Sequence, residues 1–295
     1  MFIDTVMQQL SIKALKGQEA ASHYLEALKQ AERFRMDNIA DYVCAAFKPE
    51  TDGARDFDVP HEIPNIAPLA EYMWFEMHGD LWEREDNTQA GCLFLVIHDT
   101  KTDGPDRHHP LPPEARWVVM VTLFFAEPGS FATGNLIHFL IIGADGKPLT
   151  FQTEKSPFLS QREYQAIKDD PEQKNLNPAL TTALFAICFC HCKNITIEQE
   201  PLSRQARRAA ERSKTPTITF KTIDIRPVKK VMTEEGQVES QGIKRALHIC
   251  RGHFAHYTDE HPLFGKHTGT FYRPMHVRGS LKEGAVLKDY TVHDH

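Results

Sequence analysis

Cys92-Leu-Phe-Leu-Val-Ile-His98 and Trp117-Val-Val-Met-Val-Thr-Leu-Phe-Phe125 are runs dense in branched and aromatic residues. They lie between Tyr72-Met-Trp-Phe-Glu-Met-His78 on one side and Asn135 to Ile142 on the other. A loop rich in Pro and His, Gly104 to Pro113, joins the middle pair, and the last run ends at the turn Ala144-Asp-Gly146. β-rich runs separated by turn chemistry predict an antiparallel meander with one buried face.

Toward the N-terminus the period changes. Val6, Leu10, Ala14 and Leu15 recur at helical spacing, as do Tyr24, Leu25, Leu28, Ala31 and Phe34, so residues 4–47 read as helical with a break at Gly17. Asp37-Asn38 starts a turn-rich piece up to Phe47. Residues 48–68 collect Pro49, Gly53, Pro60, Pro64 and Pro68 among acids and read as a loop or linker. Toward the C-terminus, Leu159 to Asp169 and Pro178 to Cys190 predict helices, the second apolar on most sides and therefore buried. Ser203 to Arg212 predicts a short basic helix, and Thr217 to Ile225 alternates like a strand. Further strands are expected around 245–257, 269–278 and 285–292. The expected class is α+β, with N-terminal helices packed on an antiparallel, sheet-rich body. Its divisions are a helical piece over 1–50 and a body over 69–295.

Composition bounds the function. The chain has 295 residues, 41% hydrophobic and 25% charged, enough to bury a sizeable core without staples. No stretch approaches the roughly 20 apolar residues that span a bilayer. The start, Met1-Phe-Ile-Asp-Thr-Val-Met, lacks the basic opening of a secretory signal, so a cytoplasmic protein is expected. Cys44, Cys92 and Cys250 are isolated, and Cys188, Cys190 and Cys192 alternate; all read as reduced thiols. Charge is uneven. Residues 1–192 hold 16 Lys+Arg against 28 Asp+Glu, a balance of -12, whereas 193–295 hold 18 against 12, a balance of +6. The basic third either meets an anionic or acidic partner or neutralises the acidic front of the same chain.

Arg245 to Arg278 is the densest segment, carrying His248, His253, His256, His261, His267 and His276 among basic and aromatic residues. On a strand over 247–255, Arg251 and His253 share one face with Leu247 and Ile249, while His248 and Cys250 face the other way. Gly252 permits a bulge. Leu263-Phe264-Gly265-Lys266 predicts a turn, with a return through Gly269-Thr-Phe-Tyr272 to His276 that brings His276-Val277-Arg278-Gly279 beside the first strand. The cluster has three readings. A metal site lacks any familiar ligand spacing, and no metal or cofactor is expected. A metal-independent RNase would use His253 and His276 as base and acid, with Arg251 or Arg278 stabilising the charged state. A recognition surface would bind peptide or nucleic acid, or the residues would simply brace a sheet.

Two other motifs weigh toward structure. Cys188-Phe-Cys-His-Cys192 reads as a buried helix end, with Lys193 and Asn194 as its C-terminal turn. Arg204, Arg207, Arg208 and Arg212 form a stripe that suits phosphate or plain solvent, and His108-His109 read as surface residues.

His248, Arg251, Gly252, His253 and Tyr257, followed by an aromatic-basic strand, resemble the C-terminal segment of a type V-A anti-CRISPR family carried by phages and other mobile elements. Members of that family show His-x-Arg-Arg-Gly-His-Trp-x-x-Tyr and then a strand rich in Arg and Trp. Here Cys250 stands at the first Arg and Phe254 replaces the Trp, while Phe271-Tyr272 takes the part of the second strand. His276 to Gly279 is similar to a wider set of phage and bacterial proteins that also carry a run like His191-Cys-Lys-Asn194. The resemblance implies a mobile-element protein in the bacterial host cytoplasm that lowers production of a CRISPR effector. It would act on the nascent polypeptide and its transcript, so the translating ribosome or mRNA joins the expected partners, and no membrane does. The expected partner-binding face is His248, Arg251, His253, Phe254, Tyr257, His276 and Arg278, with Phe254, Phe264 and Phe271 packing beneath or beside it. A bound acidic or polar peptide would be held partly by added strand pairing. The alternative is an RNase or RNA-binding protein using the same cluster.

Overall fold

A computed structural model describes residues 2–37, 39, 63–79, 88–103, 111–128, 130–167, 177–199, 220–225, 246–250, 253–273, 276–278 and 280–285. The turn-rich piece over 40–47, the linker over 48–62, His108-His109, the basic helix Ser203 to Arg212, Arg251, Gly252 and all but the first residue of the strand expected over 285–292 lie outside these residues. The described chain divides into two units, the first built from residues 1–191 and 196–224, the second from 192–195 and 225–295.

In the first unit, α1 (Phe2–Leu15) and α2 (Glu19–Gln30) are separated at Gly17, whose φ of 83° closes the turn with an N–H donated to the Ala14 carbonyl. Phe2, Ile3, Val6 and Leu10 form the buried stripe of α1. The helical pattern then stops earlier than its spacing predicts. Glu32–Arg35 is a strand, β1, lying parallel between β2 (Tyr72–Gly79) and a later strand, and Phe34 stacks on Phe75 at 4.8 Å. A partner on each side outweighs the local helical spacing that Ala31 and Phe34 extend from Leu28.

The meander follows as β3 (Thr88–Asp99), β4 (Ala115–Glu127), β5 (Ser130–Thr133), β6 (Leu136–Gly143) and β7 (Pro148–Lys155). After α3 (Gln161–Ile167) and α4 (Pro178–Cys190), β8 (Ile195–Gln199) and β9 (Lys221–Ile225) complete a mixed sheet in the order β7-β6-β4-β3-β2-β1-β9-β8, with β5 beside β4. The pairs from β2 to β7 are antiparallel; β1 supplies the parallel ones. The fold is α+β, N-terminal helices on a sheet-rich body.

Alternation along the strands gives each face its covering. Trp74, Leu93, Phe124 and Phe131 lie under α1 and α2, joined by Tyr24 and Phe220. The rings of Phe2 and Trp74 stand 6.1 Å apart, and those of Trp74 and Phe124 5.6 Å. α4 packs against β3, and none of its described side chains belongs to that cluster, so it covers the opposite face. Its start is set by Pro178 and by the Asn177 side chain, which accepts from the Ala179 N–H at 2.9 Å. Ala179 through Phe189 are all buried, Thr181 and Thr182 included, as expected of a helix apolar on most sides.

In the second unit, β10 (Ala246–Cys250) pairs antiparallel with β13 (His276–Arg278) and parallel with β14 (Ser280–Ala285). β11 (His253–Tyr257) and β12 (Gly269–Arg273) form a separate antiparallel hairpin. The expected strand over 247–255 is therefore two strands with different partners. No described helix is long and apolar enough to cross a membrane.

Candidate functional site

The hairpin β11–β12 carries most of the described cluster. Its register is His253↔Arg273, Phe254↔Tyr272, Ala255↔Phe271, His256↔Thr270 and Tyr257↔Gly269. Cross-strand partners share a face, so His253, Ala255, Tyr257, Phe271 and Arg273 lie on one side, and Phe254, His256, Thr270 and Tyr272 on the other.

On the first face the Tyr257 ring meets Phe271 edge-on, with centroids 5.9 Å apart, and buried Phe271 and Leu263 form the apolar base beneath it. Arg273 donates a hydrogen bond to the Tyr257 hydroxyl, and its guanidinium carbon lies 5.5 Å from the ring centroid. His253, directly across from Arg273, is exposed. The result is a guanidinium, a phenol and an imidazole along one side of a short ribbon.

The second face faces inward at its centre. Phe254 packs on Tyr272 at 5.2 Å, and His256 Nδ1 lies 3.0 Å from the Thr270 hydroxyl. The far edge of β12 is closed by residues 193 and 194. The Lys193 N–H donates to the Thr270 carbonyl at 2.9 Å. The Asn194 amide donates to the Tyr272 carbonyl at 2.8 Å and accepts from its N–H at 2.9 Å, so one side chain does the work of a paired strand residue. Gly269, at φ 110°, holds a backbone conformation that favours glycine, and the Lys193 side chain passes beside it. Lys193 and Asn194 thus bind β12, where the sequence suggested only a helix-ending turn.

The loop between the strands is closed by reciprocal N–H to carbonyl bonds between Leu263 and His267, at 2.8 and 3.0 Å. Phe264 and Gly265 follow with φ of 52° and 73°. Phe264 does not pack beneath the cluster as expected; it is 68% exposed at the tip. Asp259 and Glu260 are exposed nearby in the same loop.

The other nominated residues sit on the neighbouring strands. His248 pairs with Arg278, and Cys250 with His276, across β10 and β13. The hairpin logic expects the pairs Arg251/His253 and His276/Arg278 side by side; instead β13 lies beside His248 to Cys250, and His253 lies across from Arg273 in a separate hairpin. Arg251 lies outside the described residues. Arg273 is not among the residues the sequence points to, although alternation puts it on the Phe271 face. Asn194 is marked in the sequence only as part of the run His191-Cys-Lys-Asn194 and as a helix-ending turn; its bonds to Tyr272 join residues far apart along the chain.

Ionisable groups in the body are settled by their own surroundings. Glu76 is fully buried and accepts from the Phe2 and Ile3 N–H groups and from the Trp74 indole, at 3.3, 3.0 and 3.1 Å. It thereby anchors the start of α1, where backbone N–H groups lack helical partners. Burial pushes the His138 imidazole down to about 4, so it is neutral at neutral pH. Burial likewise pushes the Cys190 thiol up to about 12, although Lys221 draws it the other way, which leaves it a poor nucleophile. Among the described residues no set of His, Cys, Asp and Glu converges to hold a metal ion.

Compared with protein-family models, curated proteins and solved structures, the chain has no match. The described side chains of the hairpin can donate hydrogen bonds to an anion and stack on an apolar group. The RNase reading pairs His253 with His276, and these lie on strands of different sheets.

Proposed function

We propose that this chain is a recognition protein of a phage or other mobile element, which lowers production of a CRISPR effector by binding the nascent effector polypeptide and its transcript at the ribosome. The resemblance over His248 to Gly279 supports the biological setting. The observation that carries a binding role is the face of β11–β12, where Arg273 and Tyr257 stand fixed on an apolar base with exposed His253 alongside. Such a face offers aromatic area with little side-chain entropy to lose and directional donors beside it, the composition of interface hot spots. The second unit carries 12 Lys+Arg and 8 Asp+Glu, a balance of +4, against -10 for the rest.

The test is capture from cells that express a type V-A effector, using the tagged full chain beside its Arg273→Gln and Arg251→Ala/Arg278→Ala variants, with eluted protein and RNA identified. Effector nascent chains and ribosomes in the wild-type eluate, reduced in the Arg273→Gln eluate, are the expected result. Equal eluates from wild type and both variants would remove the reading. The RNase or RNA-binding alternative is separated by salt. Phosphate-led binding falls steeply between about 50 and 200 mM salt, and a peptide site responds far less. A nuclease would also leave RNA shortened at fixed sites and lose that cleavage in His253→Ala.

A further inference from the structure

Resting on that reading, we infer that Arg273 and Tyr257 form a subsite for the carboxylate of an aspartate or glutamate in the bound polypeptide. Arg273 is half-buried, and its polar partner is the neutral hydroxyl of Tyr257; among the described residues no carboxylate lies within ion-pair distance of it. A guanidinium partly withdrawn from water without a counter-charge is costly, and an arriving anion offsets that cost.

The donor set fits a carboxylate. A guanidinium has five N–H groups, and Tyr257 occupies part of that fork. The Tyr257 oxygen, as acceptor, keeps its own O–H to donate. An N–H edge and an O–H therefore stand side by side, matching an acceptor-only group with two oxygens. The base is fixed as well: the Tyr257 ring rests on Phe271, which is buried with Leu263, so the pair is held in place before a ligand arrives.

The same surroundings disfavour a run of phosphates. From His253 to Arg273 the chain carries Lys266 and Arg273 against Asp259 and Glu260, a balance of 2 - 2 = 0. Asp259 and Glu260 are exposed, just beyond Tyr257. A nucleic-acid strand passing the hairpin would meet those carboxylates, whereas one acidic side chain at Arg273 need not.

The full chain is titrated with a fluorescein-labelled Gly/Ser peptide bearing one glutamate, with its glutamine counterpart, and with oligouridylate. The glutamate peptide should bind wild type at least about tenfold more tightly than the glutamine peptide, the scale of a charge-assisted hydrogen-bonded pair. Arg273→Gln should erase that preference, Arg273→Lys should keep part of it, and Tyr257→Phe should lose part, all with unchanged circular dichroism. The inference is overturned if the two peptides bind wild type equally, if neither binds at millimolar concentration, or if oligouridylate is the tighter ligand that depends on Arg273. Capture of effector nascent chains separates this failure from that of the broader reading. If Arg273→Gln still loses capture while the peptides do not differ, the hairpin recognises its target without an acid subsite; if capture is unchanged in Arg273→Gln and in Arg251→Ala/Arg278→Ala alike, both fall.

Discussion

Glu76 in the sheet body and Arg273 in the hairpin are both ionisable groups withdrawn from water, and their surroundings treat them in opposite ways. Glu76 has backbone donors from α1 and an indole donor from its own strand, so its carboxylate is satisfied by the fold. Arg273 has a neutral phenol and, among the described residues, no acid. A scaffold completes its own pairs, because a buried group left unmatched lowers stability. A surface shaped for another molecule leaves a pair open until that molecule arrives. The histidines repeat the contrast: His138 is buried and held neutral, whereas His253 and His256 are exposed.

Several substitutions break or sharpen this contrast. Glu76→Ala strands the Phe2, Ile3 and Trp74 donors in a dry core and should cost about 4 kcal/mol in denaturant unfolding. A cost below about 1 kcal/mol would mean the body does not depend on that anchor. Gly91→Ala comes next. A Cβ there would stand 2.1 Å from the Trp74 ring, which is fully buried between helices and sheet and has nowhere to move. The expected loss is about 3 kcal/mol.

His138 makes the body sensitive to acid. Its folded value lies below the unfolded 6.5, so the unfolded chain binds the extra proton. That contribution to stability is complete above pH 6.5 and is lost as pH falls toward 4, at up to about 1.4 kcal/mol per pH unit. His138→Gln should flatten this part of the stability profile, read by urea melts at stepped pH.

Effects in the hairpin should be smaller on stability and larger on binding. Asn194→Ala opens the edge of β12, and the Tyr272 amide should exchange with deuterium about tenfold faster, corresponding to roughly one lost hydrogen bond. Arg273→Gln should change stability by less than about 0.5 kcal/mol, since it removes a charge that the fold does not pair. A large destabilisation there would reassign Arg273 to the scaffold.

The sequence was most legible where neighbours along the chain decide the structure. The runs from Tyr72 to Ile142 are dense in branched and aromatic residues and bounded by turns, and the meander followed from them. α4 was readable from Pro178 and a composition apolar on most sides. β1 was not, because four residues continuing a helical spacing are turned into a strand only by β2 and β9, partners far along the chain. The break between β10 and β11 was hidden for the same reason: each strand is defined by a different partner. Within the candidate site, His253, Phe254 and Tyr257 stood out by their type and density. Arg273 emerged only once the register placed it opposite His253 and against Tyr257.

The most direct test of the account co-expresses a type V-A effector with the full chain or with its Arg273→Gln variant, at matched abundance, and measures effector protein and transcript. The account predicts that wild type lowers the effector and that Arg273→Gln, folded and equally stable, does not. Equal lowering by both would contradict the claim that this hairpin is where the protein meets its target, and an unchanged effector with wild type would contradict the proposed function itself.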